Sequence, residues 1–176
     1  MFLDPRALIM FAANALLLHL MLMGNSALAG WSIYLFLPGA MLVLPALYLQ
    51  HRSYFLCMLA TGLWVDAALP VTFGCFTLLF LTAGAIIIHY RFRFRAEHNY
   101  HPVLIAHAVN FLGIVVLILT ASQGRLADIA FWVQVLTTSL FSHLTLLLVA
   151  PWFFDLQRAL FDVFQLDSDP DDFPTV

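Results

Sequence analysis

Six runs of mainly apolar residues, each near the roughly 20 that a helix needs to cross a bilayer, constrain this chain more than any other feature. They cover residues 7–23, 33–49, 54–69, 73–90, 103–120 and 129–154. The segments between them, GNSALAG, QHRS, LPVT, RFRFRAEHNYHP and ASQGRLAD, are rich in charge, Gly, Pro and Ser, the chemistry of turns. Hydrocarbon offers a bare backbone no water to bond, so only helices and closed barrels span it, and runs of this length predict helices. Composition agrees: of 176 residues 63% are hydrophobic and 10% charged, against about 25% charged in a soluble domain. The expectation is an all-α integral membrane protein, a six-transmembrane-helix bundle over residues 1–154. No length remains for a separate soluble catalytic domain.

All seven basic residues are arginine. With the N-terminus in the cytoplasm, Arg6, Arg52, Arg91, Arg93, Arg95 and Arg158 fall on the cytoplasmic side and Arg125 alone falls outside. The positive-inside rule therefore predicts cytoplasmic N- and C-termini. SALAG, residues 26–30, has the small-x-small pattern of a signal-peptidase site, and cleavage there would leave five spans. Asp4 cancels the charge of Arg6, and the apolar run exceeds the usual length of about 7 to 15 residues, so the first run is expected to stay.

The net charge of −3 comes mostly from the C-terminal DLQRALFDVFQLDSDPDDF. Without clustered excess positive charge the chain is not expected to bind nucleic acid. Residues 155–166 place Leu156, Ala159, Leu160, Val163 and Phe164 on one helical face and Asp155, Arg158, Asp162 and Gln165 on the other. That pattern predicts a short amphipathic helix along the cytoplasmic interface. Residues 167–176 carry too little apolar surface to fold and are expected to be disordered.

Asp66 is the most informative polar residue, because a carboxylate in hydrocarbon costs about 2.5–3.5 kcal/mol on insertion scales. Counted from Tyr54 at about 1.5 Å per residue it lies roughly 18 Å along its helix, near the outer end. Gly62, Asp66 and Pro70 are four apart and share one helical face. Pro70 lacks an N–H and helps end the helix, Thr72 is a candidate cap for the next one, and Gly74 permits close approach. Asp66 could then accept bonds from the first amides of the following helix, where the dipole also favours negative charge. The competing roles are contact with a partner or ligand, and a proton or ion path. The path is the weakest, because a relay needs several facing titratable groups and no second acid lies in a run.

His19, His107 and His143 lie one to a run, and their default reading is interhelical hydrogen bonding alongside Asn14 or Asn110. Whether the three converge in space stays open. His98 and His101 form a weak metal signal without a second pair. In RFRFR, Arg91, Arg93 and Arg95 alternate with Phe92 and Phe94, which suits an anchor at anionic lipid or a cytoplasmic docking loop. Cys57 and Cys75 should sit near opposite ends of neighbouring runs, a poor arrangement for a disulfide. No GxSxG, P-loop or paired carboxylates occur, so no enzyme, metal or cofactor is expected.

Two stretches carry a family resemblance: Gly62-Leu63-x-x-Asp66 followed by a short turn and Gly74, and the closing HLTLLLVAPWFFDLQRAL. With the size and six-run layout, the chain resembles MreD, the multi-pass subunit of the bacterial rod or elongation complex. The resemblance implies a non-enzymatic scaffold of the bacterial cytoplasmic (inner) membrane. Its implied partners are an MreC-like protein and, through it, MreB, RodA and a class B penicillin-binding protein, directing peptidoglycan synthesis and cell shape. It also implies a fold similar to the S components of energy-coupling-factor transporters. The alternative is therefore a vitamin-binding S component, with Asp66 and Trp64 as candidates for an outer pocket. A scaffold instead needs a small-residue surface for a partner helix, which Pro38, Gly39, Ala40 and Pro45 of the second run could form. An ion transporter would call for an internal repeat, and none is evident.

Overall fold

The computed structural model describes residues 4–31, 33–94, 100–122 and 124–166. Six α-helices account for most of them: α1 (Pro5–Leu28), α2 (Pro38–Tyr48), α3 (His51–Ala68), α4 (Cys75–Phe94), α5 (Tyr100–Ala121) and α6 (Ile129–Val163). Short 3-10 turns follow α1 at Ala29–Trp31 and precede α6 at Arg125–Ala127. Local chemistry sets the starts. Asp4 accepts from the Arg6 amide at 3.0 Å with Pro5 in the first turn, and Asp128 caps α6 through the Ala130 amide at 2.9 Å.

The helices form a ring of five around one. Around the circumference α1 touches α3, α3 touches α4, α4 touches α5, α5 touches α6, and α6 closes on α1, while α2 contacts all five. Every residue from Pro38 to Leu47 is buried. The sequence of α2, PGAMLVLPALY, has no polar face to show and is equally compatible with lipid or protein on every side; here protein covers it. The second run therefore does not offer its small residues to a partner protein. Gly39 faces α5, where an added Cβ would overlap the Ala106 carbonyl and crowd Asn110. It is a close-packing position inside the bundle.

The second run also differs from expectation in form. Residues 33–37 are irregular and only the 11 residues from Pro38 to Tyr48 are helical, a length of roughly 16 Å. That alone is short of the ~30 Å hydrocarbon core. Among the described residues three helices are long and apolar enough to cross a membrane, spanning Pro5–Trp31, His101–Thr120 and Ile129–Val163, and Pro38–Tyr48 and Cys75–Arg91 are shorter apolar helices.

At the other extreme, α6 runs 35 residues without interruption. It passes through Pro151, which removes the amide that would have bonded the Leu147 carbonyl. The expected separate helix over 155–166 is thus the last part of α6. Its inward face is Phe153, Phe154, Gln157 and Phe161, all buried, while Leu156, Val163 and Phe164 point away from the bundle. Arg158 pairs with Asp155 at 3.8 Å on the outer side. The expectation of disorder for 167–176 falls outside the described residues.

Gly62 sets the spacing of the α3–α4 hairpin: a Cβ there would come within 2.6 Å of Thr77 Cα. Overpacking of this kind costs about 1–3 kcal/mol. Gly62→Ala is expected to lower thermal stability in detergent by that amount, and an unchanged melting temperature would show that the two helices can separate freely.

Candidate functional site

The end of the bundle at which α3 turns into α4 holds the strongest polar constellation. Asp66 is 3% exposed and lies in the last turn of α3. Its Oδ1 accepts from the Phe76 amide at 2.8 Å. Its Oδ2 accepts from the Gly74 and Thr77 amides, both at 3.0 Å, and from the Thr77 hydroxyl at 2.6 Å. The first turn of a helix has amides with no partner inside it, and here a carboxylate from the preceding helix takes two of them, with the Gly74 amide just before, at the positive end of the α4 dipole. Thr72, expected as the cap, contributes its backbone carbonyl to the Cys75 amide instead.

Each residue of the turn has a definable part. Leu69 closes α3 by donating to the Val65 carbonyl, and Pro70 follows directly, exposed. Gly74 has φ +95°, a conformation that side chains with a Cβ rarely adopt, and that geometry presents its amide to Asp66. Gly62 lies one helical turn before Asp66 and packs on Thr77. Of the basic loop, Arg91 donates to the Leu49 carbonyl at 3.4 Å, at the far end of α4. The Arg93 side chain, Arg95 and His98 lie outside the described residues.

A second polar group crosses the core. Pro45 sits inside α2 and has no N–H to give the Met41 carbonyl four residues earlier. Asn14 of α1 supplies the missing donor, its Nδ2 bonding Met41 O at 2.9 Å and Thr61 Oγ1 of α3 at 3.4 Å. The Asn14 Oδ1 in turn accepts from Gln157 Nε2 of α6 at 3.3 Å. Four helices are joined at one buried point. The sequence marks Asn14 as an interhelical hydrogen-bonding residue but not its partners; the signal for the Met41 bond is Pro45, because a proline in a buried helix requires a donor from elsewhere.

The irregular segment before α2 is satisfied in the same way. Asn25 bonds both backbone groups of Leu35, at 2.6 and 2.9 Å. Ser142 Oγ accepts from the Phe36 amide at 2.9 Å, Met21 sulfur from Leu37 at 3.3 Å, and Asn110 Oδ1 from Gly39 at 3.3 Å. Buried backbone outside a helix needs partners from elsewhere, and side chains from α1, α5 and α6 supply them here. Asn14, Met21 and Asn25 make α1 part of the fold's bonding.

Beside this segment lies a cavity of about 340 Å³. Its walls come from the end of α1, residues 34–36, the α3–α4 turn at Leu69 and Pro70, α5, the 3-10 turn at Arg125, and the start of α6. Most of the lining is apolar, with Asn25, Tyr34, Arg125, Gln134 and Thr138 as polar members. Asp66 and Trp64, the residues expected to line an outer pocket, do not line this one. Asp66 is occupied by its four donors, and Trp64 stacks edge-on against Phe11 at 5.7 Å over a separate shallow hollow with Ala60, Leu63, Ala67 and Ala68.

Of the histidines, His107 and His143 meet between α5 and α6, Nδ1 to Nδ1 at 2.8 Å with their rings stacked. One ring must carry its proton on Nδ1 and the other present a lone pair. His19 is exposed on α1 and takes no part. Among the described residues no group of three or more His, Cys, Asp or Glu could hold a metal ion. Cys57 and Cys75 are both free thiols.

These observations define a helical membrane protein whose buried polar side chains cross-link helices and in which a cavity opens beside the hairpin turn. Comparison with protein-family models, curated proteins and solved structures found no match.

Proposed function

We propose that this chain is a non-enzymatic scaffold of the bacterial rod or elongation complex, as its resemblance to MreD implies. On this reading it crosses the cytoplasmic membrane six times with both termini in the cytoplasm, residues 33–37 completing the span that α2 begins. It serves peptidoglycan synthesis and cell shape through an MreC-like protein and, through that, MreB, RodA and a class B penicillin-binding protein. Gly62, Asp66, Pro70 and Gly74 hold the hairpin, and Arg91, Arg93 and Arg95 anchor the cytoplasmic side at anionic lipid or at a partner.

The observation that supports this reading is the use made of buried polar groups. Asn14, Asp66, Asn110 and Ser142 all bond backbone groups of other helices or of the segment leading into α2. Polar chemistry committed to interhelical geometry gives a rigid platform, which suits a protein that acts by holding others.

The test is affinity purification of the tagged full-length chain from native membranes, with the captured proteins identified by mass spectrometry. The MreC-like protein and wall-synthesis enzymes are expected to come with it. Capture of an ATPase module in their place would reverse the choice in favour of the S component.

A further inference from the structure

We infer that the cavity at the α3–α4 turn end is a binding site for an amphipathic anion: one apolar chain with a carboxylate or phosphate head. The site is separate from the scaffold role, and either can fail without the other. Its volume, about 340 Å³, is at the small end of the ~300–1,000 Å³ typical of small-molecule sites. It admits a single chain and excludes a folded peptide. Walls such as Phe36, Leu117, Ile118 and Val135 favour an apolar body.

The head is specified by Arg125. Its guanidinium lies 5.4 Å from the centroid of the Phe131 ring, which is itself 7% exposed and part of the cavity wall. A cation held over an aromatic face keeps its planar fork oriented, and that fork matches carboxylate and phosphate oxygens. The loop carrying it is internally braced: the Arg125 amide donates to Ser122 O at 2.6 Å, the Asp128 amide to Arg125 O at 2.9 Å, and Trp132 Nε1 to Leu126 O at 2.8 Å. Among the described side chains the other arginines, Arg6, Arg52, Arg91 and Arg158, sit on helix ends remote from this loop. Arg125 is therefore the one described arginine in a position to meet an anion at the cavity. Tyr34, Gln134 and Thr138 add hydrogen-bonding groups to the same lining.

A free fatty acid and an acyl chain of an anionic phospholipid share this chemistry. The full-length protein in phosphatidylcholine discs is titrated with dansyl-undecanoic acid and with its methyl ester, reading dansyl emission above that of protein-free discs. The acid is expected to bind saturably, one per chain, and about tenfold more tightly than the ester, the value of a charge-assisted bond. Arg125→Gln, an exposed position whose change should not impair folding, is expected to bring the acid down to the ester. Val135→Trp, which fills the cavity, is expected to remove both. Displacement of the probe by phosphatidylglycerol in the discs identifies membrane lipid as the source, and persistence of binding identifies a water-soluble acid. Absence of saturable binding, equal affinity for acid and ester, or an Arg125→Gln variant with native preference would overturn the assignment.

Discussion

Asp66→Ala is expected to remove most of the folded yield of the protein and to lower its thermal midpoint in detergent more than any other single substitution in the hairpin. Interhelical side-chain hydrogen bonds in membrane proteins average only about 0.6 kcal/mol, because each partner usually finds a substitute. Here one carboxylate serves four donors, and the Phe76 and Thr77 residues are buried. Removing it strands the donors together, at about 1–3 kcal/mol for each that stays unsatisfied. With partial relaxation the loss should be on the order of 3–5 kcal/mol, a large share of the ~5–15 kcal/mol that holds a typical domain folded. Asp66→Asn should fall between, since its amide keeps one acceptor and turns N–H groups toward amides. Thr77→Val removes only the hydroxyl bond and should lose about 1 kcal/mol. If Asp66→Ala purifies monodisperse with a native midpoint, the clasp is not what holds α3 against α4.

How much of that clasp could be read from the sequence depends on which contacts are local. Gly62, Asp66 and Pro70 are legible as one face because helical periodicity places residues four apart together. Gly74 is legible as a turn glycine. Asp66 reaching Phe76 and Thr77 is a contact across a turn, and spacing alone left Thr72 as an equally good cap. The residue that follows a helix break is the usual capping position, but here the preceding helix ends close enough to supply a stronger, charged acceptor.

The place of α2 was not legible, for a different reason. Lipid tails are as apolar as leucine, so an apolar face looks the same whether it meets acyl chains or five other helices. PGAMLVLPALY is uniform all round, and only the packed structure shows that it is the hub of the bundle. The irregular residues 33–37 escaped notice because their amides are capped by side chains distant in the chain, up to Ser142 bonding Phe36. The cavity is likewise assembled from six separate segments. Its charged member did leave a trace, since Arg125 is the one arginine that the orientation rule places outside. His107 and His143 meet although they are 36 residues apart, a pairing that sequence could leave open but not choose.

The core junction gives the second large effect, with an internal control. Asn14→Leu keeps the side chain's size but withdraws the donor from the Met41 carbonyl and the acceptor from Gln157, both buried. Two stranded groups at about 1–3 kcal/mol each, less some relaxation, predict a loss of about 3 kcal/mol. Because α2 touches every other helix, the loss should appear as global unfolding at lower temperature and not as fraying of one span. The cause is assigned by Pro45→Ala, which restores an N–H four residues after Met41 and lets the helix satisfy that carbonyl itself. Alone, Pro45→Ala should change stability little, since Asn14 already serves the carbonyl. Combined with Asn14→Leu it should recover about 1–2 kcal/mol, a favourable coupling measured by a double-mutant cycle of thermal midpoints. Strictly additive losses would mean that Asn14 stabilises the bundle through Thr61 and Gln157 alone. Recovery would instead assign Asn14 the task that Pro45 creates: completing the backbone of the central helix from a neighbour, and thereby fixing where that neighbour must pack.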